Sequence, residues 1–236
     1  RRQRQMCIRD SYYDIDPDLA EDPSTRMQEF EALVTRTHEV GLKVVLDFVP
    51  NHVARQYHSD IAPEGVDDLG AHDNKEMHFS PSNNFYYIPR QAFTPQFYIG
   101  EGEDRYFEYP AKATGNDCFG AFPGEYDWYE TVKLNYGVDY TGGGRCHFDP
   151  IPDTWYKMLD ILLFWCGKGV DAFRCDMAHM VPVEFWNWAI SKVKGNYPSV
   201  IFIAEIYDQA LYRVYIEKGK FDYLYDKVGS VSYTHL

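Results

Sequence analysis

The sequence predicts an α/β protein built on a parallel sheet. Segments with helical periodicity alternate with short apolar segments, and the connections between them are mostly short. Three of the apolar segments have no polar face and end in charged side chains. Uninterrupted apolar runs are typical of parallel strands that helices cover on both faces, so the two observations favour the same fold class.

The first helix is expected over residues 23–40, with Asp22 or Ser24 as its start signal and Gly41 at its end. Its apolar positions lie on one face: Met27, Phe30, Leu33 and Val34. The first strand is expected over residues 42–52. Because it is apolar on both faces, we expect it to be covered on both sides.

Residues 53–129 have no sustained period and are interrupted throughout by Pro, Gly, Asn and Asp. A structureless loop of this length is uncommon inside a compact domain, so the segment is interpreted as an inserted subdomain. Many of its residues are aromatic. They could stack on sugar faces, but for any single ring a place in the small core of the insertion is the better expectation.

After the insertion, helices and strands alternate. Helices are predicted over residues 154–167, 182–194 and 209–218, and strands over residues 169–176, 200–205 and 221–225. Side chains two apart on a strand point the same way, so Arg174 and Asp176 share a face, whereas Asp171 lies on the other and is interpreted as structural. The strands end in Asp47, in Arg174 with Asp176, and in Glu205, which should meet at one edge of the sheet.

Composition narrows the range of partners. The formal net charge is −13, and it is more negative without the four arginines of the first eleven residues. Such a surface repels phosphate backbones and anionic lipid, so neither nucleic acid nor a membrane surface is an expected partner. No apolar stretch is long enough to cross a bilayer. The cysteines lack metal-type spacing, and a Cys118–Cys146 disulfide is a weaker alternative than free thiols.

The two ends of the chain are related to each other. One DNA sequence can encode residues 6–10 on one strand and residues 231–235 on the other, and it is typical of a sequencing-library adapter. We therefore expect residues 1–11 and 230–236 to be adapter-derived. The natural part, residues 12–229, would then be internal to a longer protein.

The ordered motifs resemble those of the α-amylase family, glycoside hydrolase family 13. They are DFVPNH at residues 47–52, GVDAFRCD at 169–176 with His179 after it, and AEI at 204–206; YYDIDP at 12–17 also matches. The resemblance implies a partial (β/α)8 TIM barrel with a subdomain inserted after the third strand. The barrel parts would be residues 12–52 and 136–229, and the B-type subdomain residues 53–135.

The resemblance also implies retaining chemistry at an α-glucosidic bond. Asp176 would be the nucleophile, and Glu205 the acid that protonates the leaving oxygen and later activates water. Arg174 should hold Asp176 ionised. Glu205 has no cation near it in the sequence, so we expect it to keep the higher pKa of the two.

Three supporting residues follow from the same resemblance. Asp47 would pair with Arg174 and orient it, although the two could also be only a buried ion pair between strands. His52 would bond the sugar in the cleaved subsite. His179 would contact the sugar on the leaving side, or serve only as a structural histidine.

The resemblance implies no cofactor, but relatives often bind a structural Ca²⁺ through the Asn of the first motif and an Asp near the end of the insertion. Here Asn51 could be a ligand, yet the second segment has VKLN at residues 132–135. An ammonium cannot ligate Ca²⁺ and could replace its charge. Lys133 therefore disfavours a calcium site.

The sequence is compatible with three functions. The favoured one is an α-amylase-like hydrolase acting on starch, glycogen or maltooligosaccharides. The second is a transglycosylase or isomerase of the same family. The third is a non-catalytic relative that only binds sugar or a partner, disfavoured because both carboxylates are present. Four strands of an eight-stranded barrel cannot close a core, so we expect these 236 residues alone to be inactive.

Overall fold

The computed structural model describes residues 11–59, 61–97 and 106–225. In chain order the α-helices are α1 (Arg26–Glu39), α2 (Asp153–Gly167), α3 (Val183–Asn196) and α4 (Tyr212–Glu217). Short 3-10 helices cover Pro17–Leu19, Pro23–Thr25, Ala178–Met180 and Gln209–Leu211. The strands are β1 (Val45–Phe48), β2 (His52–Ala54), β3 (Tyr87–Ile88), β4 (Ala111–Lys112), β5 (Thr131–Lys133), β6 (Val138–Asp139), β7 (Arg145–Cys146), β8 (Ala172–Cys175), β9 (Ile201–Glu205) and β10 (Tyr223–Tyr225). Apart from Ser11, the predicted adapter-derived segments lie outside the described residues.

The chain forms two compact units. Of the described residues, 13–51 and 158–225 make up one of them, here called the sheet unit. The described residues of 11–12 and 52–157 make up the other, here called the insertion unit. The units are described separately below.

The sheet unit contains a four-stranded sheet in the order β1-β8-β9-β10, and every neighbouring pair is parallel. Helix α3 connects β8 to β9, and α4 follows β9 before β10. The predicted α/β class with a parallel sheet is therefore confirmed. The sheet is open among the described residues, and the partial barrel stays a prediction.

Helix α3 supplies much of the core of this unit. Its inward residues recur at helical spacing, and all are fully buried: Phe185, Trp186, Ala189, Ile190 and Val193. In β8 and β9 the buried aromatic rings of Phe173 and Phe202 stack with centroids 5.5 Å apart. These contacts hold β8 and β9 in the middle of the sheet, where their carboxyl ends are firmly placed.

The first strand differs from its prediction. β1 ends at Phe48, because Pro50 has no N–H with which to continue a ladder, and β2 begins only at His52. The expectation that β1 is covered on both sides is wrong, since the side chain of Val45 is 51% exposed. Among the described residues β1 is an edge strand, so it lacks a neighbour on one side.

Asp171 has the structural role that its strand face predicts. Its carboxylate accepts hydrogen bonds from the backbone N–H of Val44 at 2.8 Å and from Lys43 Nζ at 2.9 Å, and it contacts His38 Nε2 at 2.7 Å. Burial opposes its ionisation, but the bonds from Lys43, Val44 and His38 outweigh it and lower the pKa of Asp171 to about 2. This carboxylate therefore ties the start of β8 to the start of β1 while it is ionised.

We expect Asp171→Asn to destabilise the intact protein by about 2 kcal/mol near neutral pH, because hydrogen bonds to a charged acceptor are lost. The folded pKa lies below the unfolded value of about 3.9, so the stabilisation is complete above that value and is lost as the pH falls toward 2. Urea unfolding of wild type and variant should therefore differ at pH 7 and converge as the pH approaches 2. Asp18→Asn, at an exposed position, is the matched control. An equal effect in both variants would contradict the role of Asp171.

The insertion unit consists of three small antiparallel pairs, β2 with β5, β3 with β4, and β6 with β7. Part of its core is the buried cluster Ile88, Phe93, Ala111 and Ala121, against which Tyr106 and Tyr129 pack. Many aromatic rings of this segment are thus core residues, as expected for any single ring. Cys118 and Cys146 are free thiols. Every helix in the described part of the chain is too short or too polar to cross a bilayer.

Candidate active site

The register of the parallel strands brings the predicted site residues of the sheet unit together. Asp47 on β1 is aligned with Arg174 on β8, and Arg174 is aligned with Ile203 on β9. Glu205 lies two residues after Ile203 and is aligned with Tyr225 on β10. These side chains therefore share one face of the sheet at the carboxyl ends of its strands.

Arg174 is the centre of this cluster. Its Nη1 lies 2.7 Å from Asp47 Oδ1 and 2.7 Å from Asp176 Oδ1, and its Nη2 lies 2.7 Å from Glu205 Oε2. Its Nε donates to Tyr225 Oη at 2.7 Å. The predicted contacts of Arg174 with Asp47 and with Asp176 are both present. One guanidinium therefore compensates three carboxyl groups, a geometry that its planar fork of donors suits.

Glu205 is 1% exposed and is surrounded by hydrogen-bond donors. Tyr207 Oη donates to Oε1 at 2.5 Å, and Tyr225 Oη donates to the same oxygen at 3.3 Å. The backbone N–H of Met177 donates to Oε2 at 3.1 Å, beside Arg174 Nη2. Together these donors favour the carboxylate form of Glu205.

The expectation that Glu205 lacks a cation and keeps the higher pKa is wrong in this structure. Burial favours the protonated acid, but the bonds from Tyr207, Met177 and Arg174 outweigh it and lower the pKa of Glu205 to about 2. The pKa of Asp176 is raised by burial and by the nearby charge of Glu205, against the pull of Arg174. Asp176 and Glu205 therefore influence each other's ionisation, and their shared partner Arg174 binds both carboxyl groups.

The backbone of Met177 is in the left-handed region, with φ 44°. A non-glycine residue is uncommon there, and such strain concentrates at functional sites. The turn follows Asp176 directly and directs the Met177 N–H toward Glu205 Oε2. The backbone thus contributes to the same site as the side chains.

His179 lies in the short helix Ala178–Met180, next to the acid. Its Nδ1 is 3.5 Å from the backbone oxygen of Glu205, and its ring meets the ring of Tyr207 edge to face with centroids 5.9 Å apart. Tyr215 Oη donates to the backbone oxygen of His179 at 3.1 Å. The imidazole is therefore within the sheet-unit cluster, and its contact with sugar stays a prediction.

His52 belongs to the insertion unit, on β2. Its ring meets the ring of Trp128 edge to face with centroids 5.3 Å apart. Burial and the positive charge of Lys133 lower the pKa of His52 to about 4, so the imidazole is neutral at pH 7. A neutral imidazole can both donate and accept a hydrogen bond, as binding to a sugar hydroxyl requires.

Lys133 is buried in the insertion unit and pairs with Asp117. Its Nζ lies 2.6 Å from Asp117 Oδ1 and 5.3 Å from the centroid of the Tyr140 ring. Burial lowers the pKa of Lys133, whereas Asp117 raises it. An ammonium group at this place does not fit a site for a second cation. Asn51, in the sheet unit, is buried at 1% exposure.

Sequence reasoning missed three contributors to the cluster. Tyr225 is the last residue of a predicted strand, so the tendency of polar side chains to follow the other strands could have identified it. Tyr207 comes two residues after Glu205, the last residue of β9, so its closeness in the sequence could have identified it. The N–H of Met177 has no sequence signal, because its role depends on a backbone turn that the residue type does not favour.

Comparison with known proteins supports the family likeness. No family model matches the chain. An α-1,4-glucan:maltose-1-phosphate maltosyltransferase of Cereibacter sphaeroides is 41% identical over 91 residues, which is 36% of this chain and 15% of that protein. One of Rhodospirillum rubrum is 44% identical over 55 residues, 23% of this chain and 8% of that protein. The chain thus spans a small part of these curated relatives.

Solved structures match nearly the whole chain. An α-amylase from Geobacillus thermoleovorans complexed with acarbose covers 92% of this chain, over 37% of its own, with a TM-score of 0.51 and 17% identity. Eubacterium rectale Amy13B covers 92%, over 36% of its own chain, with a TM-score of 0.54 and 15% identity. At such identities the likeness concerns the fold. Together with the curated relatives, these matches confirm the resemblance to the α-amylase family.

Proposed function

We propose that the intact protein is a retaining enzyme acting on α-glucans. The premise is that its motifs, its relatives and its fold all resemble those of the α-amylase family. The observation that carries the proposal is that Arg174 binds Asp176 and Glu205, each at 2.7 Å, at the carboxyl ends of parallel strands. Inverting enzymes need about 6.5–9.5 Å between the two groups to hold a water. Two carboxyl groups bound to the two Nη atoms of one guanidinium favour a shorter spacing, which supports direct attack by one of them.

The roles follow from the chemistry of that pair. Asp176 attacks the anomeric carbon and forms a glycosyl ester, while Glu205 gives its proton to the leaving oxygen. An incoming hydroxyl then breaks the ester and returns a proton to Glu205. Glu205 must therefore be protonated when the glycosidic bond breaks, although the donors around it favour its ionised form.

The remaining predicted residues support this pair. Asp47 fixes one edge of the guanidinium of Arg174, whose charge stabilises Asp176 as it leaves the ester. The resemblance implies that His179 and His52 each bond sugar hydroxyls. The substrate would be an α-glucan or a maltooligosaccharide, and no cofactor takes part in these steps.

The candidate functions differ in the molecule that accepts the glycosyl group from the ester. With water as acceptor the enzyme is an α-amylase-like hydrolase, the candidate that the sequence favours. With a glucan as acceptor it is a transferase, and the names of the curated relatives favour this second candidate. The first half of the reaction is the same for both, so Asp176 and Glu205 keep their roles in either.

Product analysis on the intact protein separates these candidates. Maltohexaose alone tests hydrolysis, which would raise the number of reducing ends. Maltose 1-phosphate with a glucan tests maltosyl transfer, which would release phosphate and lengthen the glucan by two glucose units without new reducing ends. Sugar binding with no turnover of either mixture would contradict the proposal and favour a non-catalytic relative.

We also propose that the intact protein needs no structural calcium, because the buried ammonium of Lys133 already pairs with Asp117 in the insertion unit. Thermal unfolding should be the same with excess Ca²⁺ and with chelator. In Lys133→Asn, which removes the ammonium, the melting temperature should fall, because Asp117 loses its partner. A stoichiometric, chelator-sensitive stabilisation of the wild type would overturn the prediction.

A further inference from the structure

Tyr225 occupies a place beside the proposed acid that none of the steps above uses. It is the last residue of β10 and is aligned with Glu205 on β9, and its backbone oxygen accepts the N–H of Ile206 at 3.1 Å. The parallel ladder therefore fixes the Tyr225 side chain on the same face as Glu205 and Arg174.

The hydrogen bonds of the Tyr225 hydroxyl have a defined direction. The Nε of Arg174 carries a proton and can only donate, so at 2.7 Å the phenolic oxygen is the acceptor. The phenolic proton is then available to Glu205 Oε1 at 3.3 Å. The Tyr225 hydroxyl thus accepts a hydrogen bond from the guanidinium and donates one to the carboxylate. The centroid of the Tyr225 ring lies 5.7 Å from the guanidinium carbon of Arg174.

We propose that Tyr225 is a positioning residue that couples Arg174 to Glu205 and sets how readily the acid takes up its proton. The inference rests on the proposed function and deepens it. When Glu205 is ionised, the phenol donates to Oε1 and its oxygen holds Arg174 in place. When Glu205 becomes protonated, its carboxyl group attracts the phenol and the guanidinium less strongly, and the charge of Arg174 then acts mainly on Asp176, which it already contacts.

Removal of the hydroxyl should make Glu205 a weaker acid. In Tyr225→Phe, Oε1 keeps the bond from Tyr207 but loses the bond from residue 225, and the Nε of Arg174 loses its acceptor. We expect the pKa of Glu205 to rise by about 0.5–1 unit, the size of one ordinary hydrogen bond, because the bond from Tyr225 is long at 3.3 Å. Incorporation of 3-fluorotyrosine at position 225, which makes the phenol a stronger donor, should shift it the opposite way.

The direct test is a carbon NMR titration of the intact protein labelled at the glutamate carboxyl carbons, with the Glu205 signal assigned from Glu205→Gln. Tyr223→Phe is the matched control, because it removes the same hydroxyl from the same strand. Tyr223 is 60% exposed, and its hydroxyl has no hydrogen bond within the described residues. Glu205 should titrate higher in Tyr225→Phe and unchanged in Tyr223→Phe. Equal titration curves in wild type, Tyr225→Phe and the fluorotyrosine protein would overturn the proposal.

The pH profile of kcat/KM is the second readout. If Glu205 is the acid, the basic limb of this pH profile should move to higher pH in Tyr225→Phe, because the pKa of Glu205 rises. A purely structural role would lower activity equally at all pH values, which would also overturn the proposal. The titration needs no turnover, so a protein inactive on α-glucans would refute the proposed function while the NMR result still decides the role of Tyr225.

Discussion

Asp176→Asn should abolish turnover of α-glucans by the intact protein while the fold is retained. An amide oxygen is too weak a nucleophile to form the glycosyl ester, so we expect kcat to fall by about 10⁴-fold or more. Initial rates on maltohexaose, with circular dichroism as the check on folding, measure the effect. Asp160→Asn, the same change at an exposed position on α2, should leave the rate unchanged.

Activated donors then separate the nucleophile from the acid. The fluoride ion of a glycosyl fluoride leaves without protonation by an acid. Glu205→Gln should therefore still form the ester from this donor, whereas Asp176→Asn should not. A fluorinated sugar that traps the ester should label the peptide that contains Asp176, as read by mass spectrometry. A label on another residue, or full activity of Asp176→Asn, would refute the assignment.

The second large effect is expected for Arg174→Met. The loss of this cation leaves Asp47, Asp176 and Glu205 close together with no positive charge between them. Removal of one partner from a fully buried ion pair costs about 3–5 kcal/mol. Glu205 is buried, but Arg174 and Asp47 are partly solvated, so we expect a loss of about 2–3 kcal/mol in the free energy of unfolding at pH 7. The loss should shrink at pH 4, because protonation of the carboxyl groups relieves their repulsion.

Urea unfolding at the two pH values measures this prediction. Arg213→Met is the matched control, since the Arg213 side chain is 85% exposed and pairs along its own helix with Glu217. Exposed pairs of this kind contribute less than about 1 kcal/mol, so the control should change little at either pH. If Arg174→Met behaved like Arg213→Met, the guanidinium could not be the centre of the cluster.

The sequence by itself determined the order of the elements and most of the site. Apolar runs without a polar face predict parallel strands, and the charged residues that follow them predict where Asp47, Arg174, Asp176 and Glu205 lie. The strand alternation also distinguished Asp171 from Asp176. Such patterns are local, so they can be recognised without knowledge of how the chain is packed.

Only the tertiary structure decided which groups touch Glu205. Arg174 is 31 positions away in the chain, and Tyr225 is 20 positions away in the other direction, yet the strand register places both against its carboxyl group. Ionisation depends on charges and donors within a few ångströms, irrespective of their separation along the chain, so the pKa expectation from the sequence was wrong. The exposure of β1 was also decided by the tertiary structure, because it depends on which strands lie beside β1 in the sheet.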